Sequence, residues 1–321
     1  MAKLNPLRFF SSRKDSEFGL DQSVTGQTKF VLSDGTFNVK KISTHWWHHF
    51  NVYHWITNIS WPVYFLAISC LYFVANIFFA IIYCLIGTEQ IAGMTTTSGW
   101  DQWVQSFFFS AQTITTVGYG GMHPVGFLAS TVSALEAFVG LMLFALATGT
   151  LYSRFSKPHT KLKYSEKILI SPLEDKNALM FMLANVYHTS LMEVEATVNL
   201  SWEEKTSTGP KRHFTNLKLD VPKITLFATN WVVVHIIDQT SPLYALSQED
   251  CFNESVQIFV LIKAYDDTFS QTIYSRKSYL SQDMVWGGKF EKPYYQDPKS
   301  EKVILDLTKV GNYHPVALNK S

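Results

Sequence analysis

Two long apolar runs frame the first half of the chain, and a shorter stretch with a different rhythm lies between them. Trp61 to Ile86 carries no charge over ~26 residues, more than the ~20 that cross a ~30 Å hydrocarbon layer. Pro62 falls in the first turn, where its missing N–H has no helical partner to lose. Phe127 opens the second run, so the pattern predicts spanning helices over 61–87 and 127–155. Between them, Gly93, a threonine run and Ser98-Gly99 read as an exposed loop. Asp101 then starts an amphipathic helix through Trp103, Phe107, Phe108 and Phe109. That helix, 101–114, is too short to cross a bilayer, and a glycine motif at 115–120 ends it.

Upstream, Trp46, Trp47, Phe50, Tyr53, Trp55 and Ile56 recur at helical spacing among histidines and asparagines. A helix over 45–60 that is too polar to span, yet carries such an aromatic stripe, is suited to the membrane interface. His45 and His49 stand one turn apart, but no carboxylate or cysteine lies near them to complete a metal site. Residues 1–44 are polar, with a turn signal at Ser33-Asp34-Gly35, and read as a cytoplasmic arm.

From His159 onward the period changes to two. Met192 to Leu200 alternates as a half-buried strand does, and further strands are predicted at 167–170, 179–183, 214–219, 231–237, 256–264 and 272–279. Short strands separated by turns indicate a β-sandwich over 156–321. The predicted fold class is thus a membrane α-helical two-span pore domain, with pore half-helix and filter, plus a cytoplasmic all-β immunoglobulin-like sandwich.

Charge sharpens this picture. The net charge of +1 hides a segregation: no Lys or Arg occurs between Lys41 and Arg154, while both flanks are rich in them. By the positive-inside rule both ends of the spanning region, and so the N- and C-termini, lie on the cytoplasmic side of a multi-pass cell-membrane protein. Cys70, Cys84 and Cys251 give no disulfide framework. No basic cluster interleaves with base-stacking aromatics, which argues against nucleic acid. The sandwich region shows no GxGxxG after a strand, no P-loop, no paired-cysteine metal site and no Gly-x-Ser-x-Gly elbow, so an enzyme is not expected.

The candidate chemistry lies in Thr115-Thr116-Val117-Gly118-Tyr119-Gly120. A line of carbonyl oxygens can replace the water around a dehydrating cation, and glycine is needed where that backbone leaves ordinary L-residue space. A run of this kind also fits a hairpin turn in a soluble protein. Its place after a half-helix and between two apolar runs favours a filter, because non-helical backbone at membrane depth survives only inside a protein-lined cavity. One copy forms one wall of a tube, so assembly with further copies around an axis is expected. The half-helix would aim the negative end of its dipole at the same axis.

On the second run, Phe144, Thr148 and Tyr152 stand one turn apart on one face and form a candidate gate. Glu136 is the one acid of that run before Arg154. It and Gln112 are read as filter support, with Glu136 bonded to donors behind the filter. Arg154 and Lys157 meet the inner headgroups beside Pro158 and, with Trp61, form a candidate site for anionic lipid.

Two spans, a filter and a β-rich sandwich together resemble the inward rectifier potassium channels, in particular their prokaryotic branch. The resemblance covers nearly the whole chain. It rests on Ser60-Trp61-Pro62-Val63, the filter, Arg154-Phe155-Ser156-Lys157-Pro158, Ser241-Pro242-Leu243-Tyr244, Ser278-Tyr279, Trp286-Gly287-Gly288-Lys289-Phe290 and Asp306-Leu307-Thr308-Lys309. It implies a homotetramer that conducts K+ held at the carbonyls of Thr116, Val117, Gly118 and Tyr119, with no cofactor beyond the permeant ion. It also implies a gate near Tyr152, regulation by phosphoinositides, and block by internal Mg2+ or polyamines. Some positions depart from the family. Gln112 stands where many relatives carry a filter-bracing Glu, and Gly121-Met122 replace its basic partner. Phe144 replaces an acid that binds polyamines or Mg2+, and Thr208 and Lys263 replace vestibule acids. Rectification is therefore expected to be weak. The competing expectation is a membrane-tethered β-sandwich that senses or binds a partner without conducting; it leaves the half-helix before the glycine motif unexplained. If Phe144 faces the pore, Phe144→Asp increases internal spermine block in bilayer recordings, and unchanged block counts against that placement.

Overall fold

A computed structural model describes residue 38 and residues 52–95, 98–156, 162–187, 190–206, 209–244, 246–300 and 302–319. The expectations for residues 1–37, for His45 and His49, for Lys157 and for Thr208 fall outside them. Two compact units divide the described chain, one N-terminal and helical, the other C-terminal and β-rich.

In the helical unit, α1 (Val52–Asn58) leads to α2 (Trp61–Ile86), α3 (Gly99–Ile114) and α4 (Phe127–Phe155). Both long helices are apolar enough to cross a bilayer, with a mean hydropathy of 2.4 for α2 and 1.8 for α4. The half-helix begins two residues before the expected start. Ser98 is its cap, accepting from the Asp101 N–H, and Asp101 sits in the first turn. Serine caps by the same oxygen geometry as aspartate, so the first Asp was a misleading boundary.

At one end of this unit Phe79 and Tyr83 of α2, Phe109 of α3 and Ala129 of α4 form a buried cluster with Ile91. There β1 (Ile91–Ala92) pairs antiparallel with β2 (His123–Pro124). Gln90 fastens the same end: its Nε2 donates to the Ile86 carbonyl, and its backbone carbonyl accepts from the Val125 N–H.

The β-rich unit contains β3 (Leu162–Tyr164), β4 (Ile168–Leu173), β5 (Lys176–Asn185), β6 (Leu191–Thr206), β7 (Gly209–Asn216), β8 (Lys223–Phe227) and β9 (Asn230–Ile237). After α5 (Gln248–Asn253) come β10 (Gln257–Asp266), β11 (Gln271–Leu280), β12 (Met284–Trp286), β13 (Gly288–Phe290), β14 (Tyr294–Gln296), β15 (Val303–Leu305) and β16 (Tyr313–Pro315). One sheet runs β11-β10-β6-β7 with β8 also on β6; the other runs β12-β4-β5-β3 with β9 on β5. Their inner faces share one core, to which Ile168, Leu179 and Phe181 contribute from one sheet and Val198, Leu200, Val260 and Ile262 from the other. Each such side chain, fully buried, is worth roughly 1.5–3 kcal/mol of transfer free energy.

Two details differ from the sequence pattern. The alternation in β6 is interrupted at Glu193, whose φ of +52 marks a bulge, and the register with β10 shifts between Lys263 and Tyr265. As a result Leu191 and Val194 both enter the core while Met192 lies outside it. The short strands β12 to β16 carry too few residues to show a period, and β12 runs parallel to β4.

Ser241-Pro242-Leu243-Tyr244 closes on a buried histidine. His235 Nδ1 lies 2.6 Å from the Lys218 carbonyl and Nε2 lies 2.7 Å from Ser241 Oγ, which also accepts from the Leu243 N–H. A neutral ring satisfies all of this, with Nδ1–H donating to the carbonyl and the serine hydroxyl donating to Nε2. Burial holds His235 below the ordinary histidine range, against the opposing pull of the Lys218 carbonyl and of Asp238. Because the unfolded chain takes up this proton near pH ~6.5 and the folded chain does not, stability falls as pH drops through that value. Thermal melts between about pH 7.5 and about pH 5.5 should show that loss, and His235→Gln should flatten it while lowering stability at neutral pH.

Candidate functional site

The site begins where α3 stops. Thr115 is the helix cap, and its hydroxyl donates to the Ala111 carbonyl at 2.6 Å. The next amides turn back onto the helix end: Thr116 N–H to the Thr113 carbonyl at 3.0 Å, and Val117 and Gly118 N–H to the Gln112 carbonyl at 3.0 and 3.2 Å. With the donors turned inward, the carbonyls of Thr116, Val117, Gly118 and Tyr119 accept no hydrogen bond from the described chain. The turn needs positive φ at Thr116 (+59), Gly118 (+52) and Gly120 (+85). Glycine adopts it freely, whereas a threonine held there costs roughly 1–3 kcal/mol, the kind of strain that gathers at functional sites. A Cβ at Gly118 or Gly120 would meet nothing within 4 Å, so one side of the segment is open. The side chains of Val117 and Tyr119 lie bare in a single chain, Tyr119 with 85% of its surface exposed.

Support comes from behind. Gln112 donates through Nε2 to the Met122 carbonyl at 3.3 Å, which joins the helix end to the return strand. The buried carboxyl of Glu136 meets Tyr83 Oη at 2.6 Å and also contacts Ser110 Oγ, so one side chain of α4 reaches both α2 and α3. Sequence reading anticipated donors for Glu136 but not which ones, because a lone serine and tyrosine in apolar helices carry no distinguishing signal. Gly140 is a point of close packing. A Cβ there would run into the Ile114 carbonyl, so α4 presses directly on the last turn of α3.

Further along α4, Phe144, Thr148 and Tyr152 are all exposed, Tyr152 at 73%. They occupy a face with no partner in the described chain large enough to cover it. The helix then reaches Arg154, which is buried rather than presented to solvent, with 7% exposure. Its Nη1 and Nη2 donate to the carbonyls of Ile56 and Ile59, each at 2.7 Å, and its guanidinium carbon lies 4.6 Å from the Trp61 ring centroid and 4.7 Å from that of Tyr64. Tyr53 Oη and Ser153 Oγ meet at 2.6 Å beside it. Arg154 thus closes the C-terminal end of α1, a role its sequence neighbourhood did not signal. Among the described residues no group of His, Cys, Asp and Glu is arranged to hold a metal.

Two family models match this chain, "Ion channel" over residues 59–157 and "Inward rectifier potassium channel C-terminal domain" over residues 162–321. Inward rectifier potassium channel Kirbac3.1 of Paramagnetospirillum magnetotacticum is 32% identical over 293 residues, which cover 90% of this chain and 96% of that protein. The chain belongs to the inward rectifier potassium channel family. Human ATP-sensitive inward rectifier potassium channel 8 is 27% identical over 66% of this chain and 52% of its own length. Inward rectifier potassium channel 4 of Mesocricetus auratus is 26% identical over 62% of this chain and 47% of its own. The chain therefore spans about half the length of these two mammalian relatives. Its match to Kirbac3.1 places it with the prokaryotic inward rectifiers, and the family together with the two apolar helices makes it a multi-pass membrane protein. This is a family of channels, not of enzymes.

In this inward rectifier Gly140 is the point at which α4 backs the helix end that leads into the glycine motif. Gly140→Ala forces the Ile114 turn and the carbonyls after it to move. It should abolish selective ion flux in reconstituted liposomes, or collapse the assembled protein on gel filtration, whereas Gly149→Ala, where a Cβ meets nothing, should do neither.

Proposed function

We propose that four copies of this chain form a potassium-selective channel, in which K+ is dehydrated by the main-chain oxygens of Thr116, Val117, Gly118 and Tyr119. The observation that carries this is a strip of carbonyls left unpaired by a chain that has turned the matching amides inward. An unpaired carbonyl at membrane depth costs several kcal/mol, and an axial cation removes that cost. Four copies also supply neighbours for the bare faces of Val117 and Tyr119. K+ is the permeant ion, and no cofactor takes part.

Conduction is passive and gated where Phe144, Thr148 and Tyr152 of the four α4 helices converge. Both termini lie on the cytoplasmic side. With Phe144 in place of an acid, internal Mg2+ or polyamines block weakly. Anionic phosphoinositide acts at the region of Trp61, Arg154 and Lys157. Because the Arg154 guanidinium is already committed to Ile56 and Ile59, a headgroup that draws it away releases α1 from the end of α4. Lipid binding is in this way coupled to the gate.

Purified protein in liposomes should pass K+ or Rb+ at least 100-fold faster than Na+, since a selectivity of that size corresponds to about 2.8 kcal/mol. Phosphoinositide in the vesicle should change the rate, and Arg154→Lys, which cannot fork two carbonyls, should alter that response. Equal K+ and Na+ flux, or no flux with or without lipid, would contradict the proposal.

A further inference from the structure

Ser110 contributes one hydroxyl hydrogen to the cluster behind α3, and two acceptors face it. Its Oγ lies 3.1 Å from Asn76 Oδ1 and is in contact with Glu136 Oε1. Asn76 is oriented by its amide nitrogen, which donates to the Tyr72 carbonyl at 2.7 Å, so its oxygen is the atom turned to Ser110. Tyr83 has already given its hydroxyl hydrogen to Glu136 Oε2. Asn76, Ser110 and Glu136 are all fully buried. With the carboxyl ionised, Ser110 can satisfy only one of the two oxygens and turns a lone pair on the other, and a buried acceptor without its hydrogen bond is costly.

We propose that Glu136 is held as the neutral acid and is the hydrogen donor that completes this cluster. Its hydroxyl donates from Oε1 to Ser110 Oγ, Ser110 donates to Asn76 Oδ1, and Tyr83 donates to Glu136 Oε2. Every polar atom is then matched, and α2, α3 and α4 are joined by one directed chain. Charge agrees with the count. No Lys or Arg lies between Lys41 and Arg154, and Arg154 is about five turns further along α4, so a carboxylate here would be buried without a counter-ion. Glu136 is thereby a positioning residue. It fixes Ser110, two residues before the Gln112 carbonyl on which the Val117 and Gly118 amides rest.

The inference takes α3 as the helix that supports the filter, but its test does not depend on conduction. Infrared spectra of the purified protein in lipid at neutral pH should contain a carboxylic-acid C=O band that disappears in Glu136→Gln and shifts in Ser110→Ala, where the acceptor is gone. Glu136→Gln, whose amide can donate to Ser110 and accept from Tyr83, should melt within a few degrees of the parent, and Glu136→Ala well below it. Absence of the acid band from the folded parent protein overturns the proposal, as does a Glu136→Gln variant no more stable than Glu136→Ala. A normal band in protein that does not conduct would leave the neutral acid standing and count against the channel alone.

Discussion

A carbonyl oxygen that is to replace water around a cation has to be left unpaired by its own chain, and in the interior of a membrane that is the most expensive state a backbone can hold. Under the proposed function, the architecture of the helical unit follows from this constraint. The peptide after α3 is turned so that its amides bond back to the Gln112 and Thr113 carbonyls, which leaves the opposite edge bare. Such a turn needs residues at positive φ, and it needs a firm surface to lean on. Glycines at 118 and 120 meet the first need, with strain accepted at Thr116.

The firm surface is made from three helices by unlike means. Gly140 lets α4 touch the Ile114 carbonyl, so the end of α3 is fixed by backbone contact that no side chain can relax. One turn away, Glu136 binds the same helix through Ser110 and reaches α2 through Tyr83. Beyond them, Gln90 fastens the loop that returns the chain from the glycine motif. The backbone contact at the middle of α4 contrasts with its C-terminal end, where Arg154 holds the end of α1 by two hydrogen bonds and the first turn of α2 by two ring contacts. Under the proposed lipid regulation those are the contacts an anion would replace, whereas a backbone contact offers nothing to exchange.

Much of this fold can be read from period and punctuation. Long apolar runs, one without charge and one with Glu136 as its single acid, became α2 and α4, and alternation located the long strands, because burial of one face or one stripe is written directly in residue type. What stayed hidden has the opposite character. The bulge at Glu193 is a backbone event that leaves the order of side-chain types unchanged, so the alternation from Met192 onward does not show that Met192 lies outside the core. Strands of three residues, such as β12, hold no period to detect. The Tyr83 and Ser110 partners of Glu136, the Asn76 partner of Ser110 and the carbonyl partners of Arg154 lie far apart in sequence, so geometry alone brings them together. The glycine motif was legible because its chemistry is local: six consecutive residues carry both the oxygens and the freedom to turn them outward.

The ion positions themselves are the most direct test. Anomalous diffraction or cryo-electron microscopy of the assembled protein in Rb+ or Tl+ should show density on a fourfold axis, spaced along the carbonyls of Thr116, Val117, Gly118 and Tyr119, and fading when Na+ replaces the heavier cation. An assembly without fourfold symmetry, or one whose axis holds no cation beside those oxygens, would contradict the account.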